Sequence, residues 1–340
     1  PAFLDMWLGA FGMRPHLSVD FEADHNAIEG HKRSYGVAWP KFDFGQARLI
    51  VSIGADFLDG WGSSTSHQMA FSDARAKGAQ GPRFIYVGPR RSLTGHNADQ
   101  WISCKPGGEL AIVNFLNGRG DAKSAADASG AQQSALEQLA RELRITKPSL
   151  VVAGGHGENG VDVVLGAALL NKSLGNVNTT VRPQDAEMPF EGIARQGEVM
   201  AAVERMRGGN VGIAFVRATN PAYSLPTSAK FADAFGKVAF KVSFSLFPDE
   251  TTEMCDLILP DLHSLEHWGD SEPIRNNIAV QQTAMDPGFP GTRSTADVLM
   301  GVARMGSTTA ARFPQAEYRS WLVARLPGTV ELKTGLMARG

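Results

Sequence analysis

The side chains best suited to chemistry stand where short apolar runs end. Residues 48–54 (RLIVSIG) close on Gly54, and Ala55-Asp56 follow. Glycine there lets the backbone turn tightly or approach a ligand closely. Backbone N–H groups at a following helix start suit a pyrophosphate. A plain strand-to-helix turn uses the same glycine. Arg90 and Arg91 come after residues 83–87 (RFIYV) and their Gly88-Pro89 stop. Guanidinium forks suit phosphate oxygens, and equally a carboxylate across a domain interface. Asp99 and Asp256 each precede a short apolar stretch. An ionised Asp at a strand start accepts loop N–H bonds. Asn220-Pro221 fixes a turn, because Pro locks φ and Asn can bond its own backbone. Glu250 and Glu266 are read as helix caps or as partners of Arg275 or Arg293.

Other chemistries lack their residues. His263 and His267 have i, i+4 spacing, but Glu266-His267-Trp268-Gly269 reads as loop and supplies no third ligand, so no metal ligand is assigned. Cys104 and Cys255 are the two cysteines. Without a C-x-x-C pair they argue against an iron–sulfur or structural zinc site made by this chain alone. Ser63-Ser64-Thr65-Ser66 is not framed as G-x-S-x-G. Neither G-x-G-x-x-G nor a P-loop lysine occurs, which argues against an unrelated nucleotide module. No catalytic residue is assigned.

Elements must hold these positions. The 37 Gly and 18 Pro among 340 residues suit an α/β protein with many tight strand-to-helix turns. The net charge of −2 gives no basic field for nucleic acid, and none is expected as a partner. No apolar run approaches the roughly 20 residues that span a bilayer. The chain opens on Pro1, as a processed chain or an internal piece would.

Strands are expected at 48–54, 83–87, 100–104, 149–153, 211–216, 238–244 and 256–259, and helices at 67–76, 109–116, 136–143, 161–170, 296–304 and 316–326. Residues 118–134, rich in Gly, Ala, Ser and Asp, read as a linker. Strand–turn–helix units in series predict doubly wound parallel sheets. The halves echo each other. Leu49–Ile53 running into Gly54-Ala55-Asp56 answers residues 212–216 running into Thr219-Asn220-Pro221. Asn97-Ala98-Asp99-Gln100-Trp101 answers Met254-Cys255-Asp256-Leu257-Ile258. The expected layout is a first α/β domain at 1–135, a second at 136–272 and a return segment with closing helices at 273–340.

In order and spacing these motifs resemble the molybdopterin oxidoreductase superfamily, of the dimethyl sulfoxide reductase type, over about residues 30–300. Gly54-Ala55-Asp56 stands where that family has a strand followed by Gly-x-Asn/Asp-Pro, which wraps a pterin dinucleotide. Gly88-Pro89-Arg90, Thr94, Ala98-Asp99 and Pro106-Gly107 resemble its Asp-Pro-Arg…Thr…Ala-Asp…Pro-Gly-Thr-Asp block. Gly154-Gly155-His156-Gly157 and Thr219-Asn220-Pro221 resemble the partner sites in the second half. Glu250-Thr251, Asp256, Leu259-Pro260, Glu266 and Gly269 resemble a Glu-Thr…Ala-Asp…Leu-Pro…Glu…Gly block. The resemblance implies two pseudo-repeated, Rossmann-like parallel-sheet domains, like that family's central domains. Its cofactor-binding positions fall on Gly54, Asp56, Arg90, Thr94, Asp99, Gly155, Asn220 and Asp256. Two departures stand out: Gly88 replaces the Asp of Asp-Pro-Arg, and Gly108-Glu109 replaces Thr-Asp.

Phe57-Leu58-Asp59-Gly60-Trp61, Tyr223-Ser224-Leu225-Pro226 and His267-Trp268-Gly269-Asp270 are similar to one branch. That branch is the large iron–sulfur, molybdopterin-like subunit of alternative complex III, which oxidises quinol. The likeness implies a scaffold without its own metal cofactor that supports electron transfer. Iron–sulfur clusters would then lie in a ferredoxin-like partner domain beside other membrane-complex subunits, peripheral to the periplasmic face of the inner membrane. The alternative is part of an active molybdenum enzyme of the polysulfide or thiosulfate reductase kind, holding molybdopterin guanine dinucleotide.

Overall fold

The computed structural model describes residues 2–20, 24–186 and 188–325. The chain opens with α1 (Ala2–Ala10), then α2 (His25–Tyr35) and the short β1 (Lys41–Phe42). It divides into two compact units. The first is Phe21–Glu191 with Pro273–Asn276. The second is Pro1–Asp20, Gly192–Glu272 and Asn277–Gly340.

The apolar runs of the first unit become parallel strands. These are β2 (Leu49–Ile53), β3 (Arg83–Gly88), β4 (Gln100–Ser103) and β5 (Ser149–Ala153), in the order β4-β3-β2-β5. Strands β2, β3 and β5 are buried on both faces, and the edge strand β4 is largely exposed. Leu49 lies beside both Arg83 and Ser149, and Ile53 beside both Val87 and Ala153. Helix α3 (Ser64–Arg75) links β2 to β3. Helices α4 (Glu109–Leu116), α5 (Ala122–Ser129) and α6 (Gln133–Ile145) link β4 to β5, and α7 (Gly160–Leu174) follows β5. Strand β1 pairs antiparallel with β6 (Val181–Arg182). Helix α2 crosses α7 at Gly30, where an added Cβ would lie 2.5 Å from Val164 Cγ1.

The second unit, which includes α1, resumes after β6 with α8 (Gln196–Arg207), then β7 (Ile213–Arg217), β8 (Phe240–Phe244) and β9 (Leu257–Ile258), parallel and in sequence order. A hairpin, β10 (Gly269–Ile274) and β11 (Asn277–Gln281), precedes α9 (Thr295–Met305) and α10 (Tyr318–Arg325). Phe3 and Trp7 of α1 bury with Phe244, Met300, Phe313 and Trp321.

The expected fold class, α/β with two parallel sheets, is what is found. The expected boundary at 135/136 is not. Strand β5 hydrogen-bonds to β2, so the first sheet runs through that position. The expected linker holds α5, capped by Asp121, whose carboxylate accepts from the Ser124 N–H. The expected helix end at 326 lies outside the described residues.

The two sheets repeat one clamp. The Asp99 N–H donates to the Phe84 carbonyl, and its carboxylate accepts from the Phe84 N–H at 2.8 Å. The Asp256 N–H donates to the Lys241 carbonyl, and its carboxylate accepts from the Lys241 N–H at 2.7 Å. Phe84 lies beside Ile50, and Lys241 beside Ala214. This registers Leu49 with Ile213, Gly54 with Ala218 and Asp56 with Asn220. The turns therefore match one residue earlier than the sequence echo suggests.

Candidate functional site

Strand order reverses between β2 and β5, which is where open α/β sheets bind ligands, outside the carboxyl ends. Gly54 ends β2 there with φ +66°, and Gly154-Gly155 end β5. The backbone of the two strand ends approaches closely at this point. A Cβ on Gly154 would lie 2.2 Å from the Gly54 carbonyl oxygen and 2.9 Å from His156 Nε2. A Cβ on Gly160 would lie 1.9 Å from the Gly155 carbonyl oxygen. Chain-to-chain contact thus explains these two glycines. Gly155, at φ +76°, is held from α2: Asn26 Nδ2 donates to its carbonyl at 2.8 Å and to that of Gly157 at 3.1 Å.

Asp56, two residues past Gly54, is tied inward. Its Oδ1 accepts from the Tyr86 hydroxyl at 3.0 Å and from Ser92 Oγ in a short bond. Its Oδ2 accepts from Arg90 Nη2 at 3.3 Å. The carboxylate is 13% exposed, while Arg90 is 77% exposed. Burial, opposed by the Ser92 hydrogen bond and reinforced by the Asp56 charge, pushes the Tyr86 phenol up to about 12. The Tyr86 ring also lies over Gly88 and Gly95. A Cβ on Gly88 would be 2.9 Å from Tyr86 Cε1, and one on Gly95 3.0 Å from Cδ1.

The second unit repeats the lock in other residues. Asn220 Oδ1 accepts from the Thr251 hydroxyl at 2.7 Å, and its Nδ2 donates to Glu250 at 2.6 Å. That Asn220 bond holds the Glu250 carboxyl below its ordinary range. Thr251 Oγ1 also accepts from the Ala222 N–H at 3.0 Å. In the first unit the two tasks are divided. Ser92 donates to Asp56, and Thr94 Oγ1 accepts from the Leu58 N–H at 3.1 Å. Ala218 takes the place of Gly54 at φ +51°, in the same left-handed region.

The structure gathers Gly54, Asp56, Arg90 and Gly155 at the carboxyl edge of the first sheet, with Asn220 at the matching place in the second. Thr94 is fully buried beneath its turn, its hydroxyl oxygen taken by the Leu58 N–H. Asp99 and Asp256 do not join the others in either unit. They clamp the amino edges, about 13 Å along the strands from Gly54 and Ala218 at ~3.3 Å per residue. Asp99 pairs bidentately with Arg75, at 2.7 and 2.8 Å, and Asp256 with Lys241 at 2.9 Å. Asn26 was not anticipated, and Tyr86, Ser92, Thr251 and His156 lie within matched motifs without having been singled out as site residues. Only the Ser and Thr hydroxyls near matched motif positions hinted at the locks.

The pterin dinucleotide implied by the resemblance can be tested against this geometry. Asp56 has spent three acceptor positions on its own unit. The place of the family's Asp at position 88 is taken by the Tyr86 ring. At the strand reversal the Gly54, Gly154, Gly155 and Gly160 backbones pack against one another, with His156 beside Gly154. These residues do not fit the dinucleotide. Among the described residues, no group of three or more His, Cys, Asp or Glu is placed to hold a metal ion. Also among them, no helix is long and apolar enough to cross a membrane.

Comparison with known proteins bears on this geometry. The family profile described as molybdopterin oxidoreductase matches residues 12–283. The molybdopterin-binding-like subunit of menaquinone reductase from Nitratidesulfovibrio vulgaris is 28% identical over 265 residues, 67% of this chain and 38% of that protein. The thiosulfate reductase molybdopterin-containing subunit of Salmonella typhimurium is 29% identical over 113 residues, 33% of this chain and 14% of that protein. Acetylene hydratase from Pelobacter acetylenicus shares the fold. Its TM-score is 0.60 at 14% identity, covering 86% of this chain and 50% of that one. The chain thus spans half or less of the length of these relatives.

Proposed function

The chain belongs to the molybdopterin oxidoreductase family, and on that premise we propose that it is a scaffold within a quinol-linked electron-transfer complex, without a metal cofactor of its own. The family implies a molybdopterin cofactor. The observation that carries the reading is the engaged turn: Asp56 is bonded to Ser92, Tyr86 and Arg90, with the Tyr86 ring covering Gly88. A turn that holds its own shape keeps the fold without a ligand to brace it. Similarity to a subunit of a menaquinone reductase supports the quinol-linked half of the reading.

In this reading the partners are other subunits of a membrane complex and a ferredoxin-like domain that carries iron–sulfur clusters. The site is the periplasmic face of the inner membrane, as in alternative complex III. A second reading, part of an active molybdenum enzyme, draws on the likeness to thiosulfate reductase.

Metal analysis and acid release of nucleotide from the intact purified protein separate the two. The scaffold reading expects neither molybdenum nor tungsten, and no guanine nucleotide, above trace level. One equivalent of metal with its nucleotide would reject it in favour of the second.

A further inference from the structure

We propose that a single water molecule is bound behind α2 in the first unit, held by His31 and Tyr35. The inference is independent of the functional reading above. A cavity of about 10 Å³ lies between α2, β5 and α7, lined by these two residues together with Asn171, Phe42, Val151 and Val164. That is about the space one water needs, and too little for an organic ligand.

The lining has the chemistry to hold it. His31 is 3% exposed. Burial, opposed by its hydrogen bond to the Ala38 backbone, pushes its pKa down to about 3, so the ring is neutral. A ring bond that favours the protonated form is a donated one, which leaves the other nitrogen as a lone-pair acceptor. His31 Nδ1 is buried and has no hydrogen-bond partner. Leaving such an atom unpaired costs about 1–3 kcal/mol. Tyr35 Oη receives one long contact, 3.5 Å from Asn171 Nδ2. Asn171 Nδ2 also donates to the Val151 carbonyl at 2.7 Å, so the guest must donate to His31 Nδ1 and can accept the Tyr35 proton.

A water does both. An anion would face the imidazole lone pair. A metal ion would find a single imidazole among apolar side chains, with no cluster of ligands among the described residues. A dry cavity is expected where the lining is apolar, and here three polar side chains converge. The indole nitrogens of Trp39 and Trp61 also lack partners, but neither residue lines the cavity. The same helix carries Asn26, which ties the Gly155 and Gly157 carbonyls. The water would stitch the inner face of that helix to β5 and α7.

A crystal structure of the intact protein, at a resolution that orders buried solvent, tests this directly. One peak is expected within about 2.7–3.2 Å of His31 Nδ1 and of Tyr35 Oη. In His31→Leu the peak should vanish. An empty cavity, a flipped imidazole whose Nδ1 meets a protein donor, or a peak that persists unmoved in the variant would overturn the proposal.

Discussion

Glycine and its neighbours decide the site at the residue scale, and they separate two kinds of constraint. Gly54 needs only its left-handed backbone, because the nearest atom to an added Cβ is His156 Cδ2 at 3.7 Å. Ala218 already holds the equivalent position at φ +51°. Gly54→Ala is therefore expected to cost about 1–2 kcal/mol, the strain of one left-handed residue. Gly154→Ala must push backbone aside and should cost about 3 kcal/mol or more. Equal losses in denaturant unfolding would sink this account of the turn.

The substitution at position 88 makes a second test. Gly88→Asp should destabilise by about 1–3 kcal/mol through the Tyr86 ring, and by clearly less in a Tyr86→Ala background. Strict additivity of the two changes would show that the ring does not exclude the carboxylate. The sequence made Gly54 and Asp56 legible, since a glycine closing an apolar run marks a turn. It hid the matching turn because Ala218 does a glycine's work without a glycine's signature. It could not show that Thr94 is buried, since burial depends on what packs above.

At the element scale the two aspartates form part of the sheet rather than of a ligand site. Burial pushes the Asp99 carboxyl up, but its bonds from Arg75 and the Phe84 N–H outweigh this and hold it below the ordinary range. The Asp256 carboxyl is lowered by Lys241, first through the side chain and then through the backbone N–H. A carboxyl lowered in the folded state adds stability that is complete above its unfolded pKa. That stability is lost as pH falls through the folded value. The melting temperature of the parent protein should therefore fall on acidification more steeply than that of Asp99→Asn. Parallel acid limbs would remove the clamp from the account.

Strands were readable because a buried parallel strand is a bare apolar run, as LIVSI and SLVVA are. Helix α5, AKSAADAS, was unreadable for the opposite reason: its buried side chains are alanines and a serine, so no apolar stripe appears. The hairpin at 269–281 is exposed along most of its length and gives no alternation to read.

At the scale of the whole molecule the sequence echo led to a division in series, whereas the chain folds with one unit interrupting the other. The first unit, Phe21–Glu191, is nearly continuous and contains its whole four-stranded sheet. The second needs residues from both ends of the sequence. Phe3 packs edge-on against Phe313, Tyr318 and Trp321, with ring centroids 5.0–5.9 Å apart. Trp7 Nε1 donates to the Leu299 carbonyl at 2.7 Å. Emptying two such aromatic sites costs about 3–5 kcal/mol each. Together that rivals the roughly 5–15 kcal/mol that keeps a domain folded. A polypeptide of residues 21–191 should therefore unfold cooperatively in urea. One of residues 192–340 should not, until a peptide of residues 1–20 is added. Circular dichroism and tryptophan fluorescence through the same titrations would follow both. If the 192–340 polypeptide melts cooperatively, at the same midpoint with and without the peptide, then α1 is an appendage rather than part of that core.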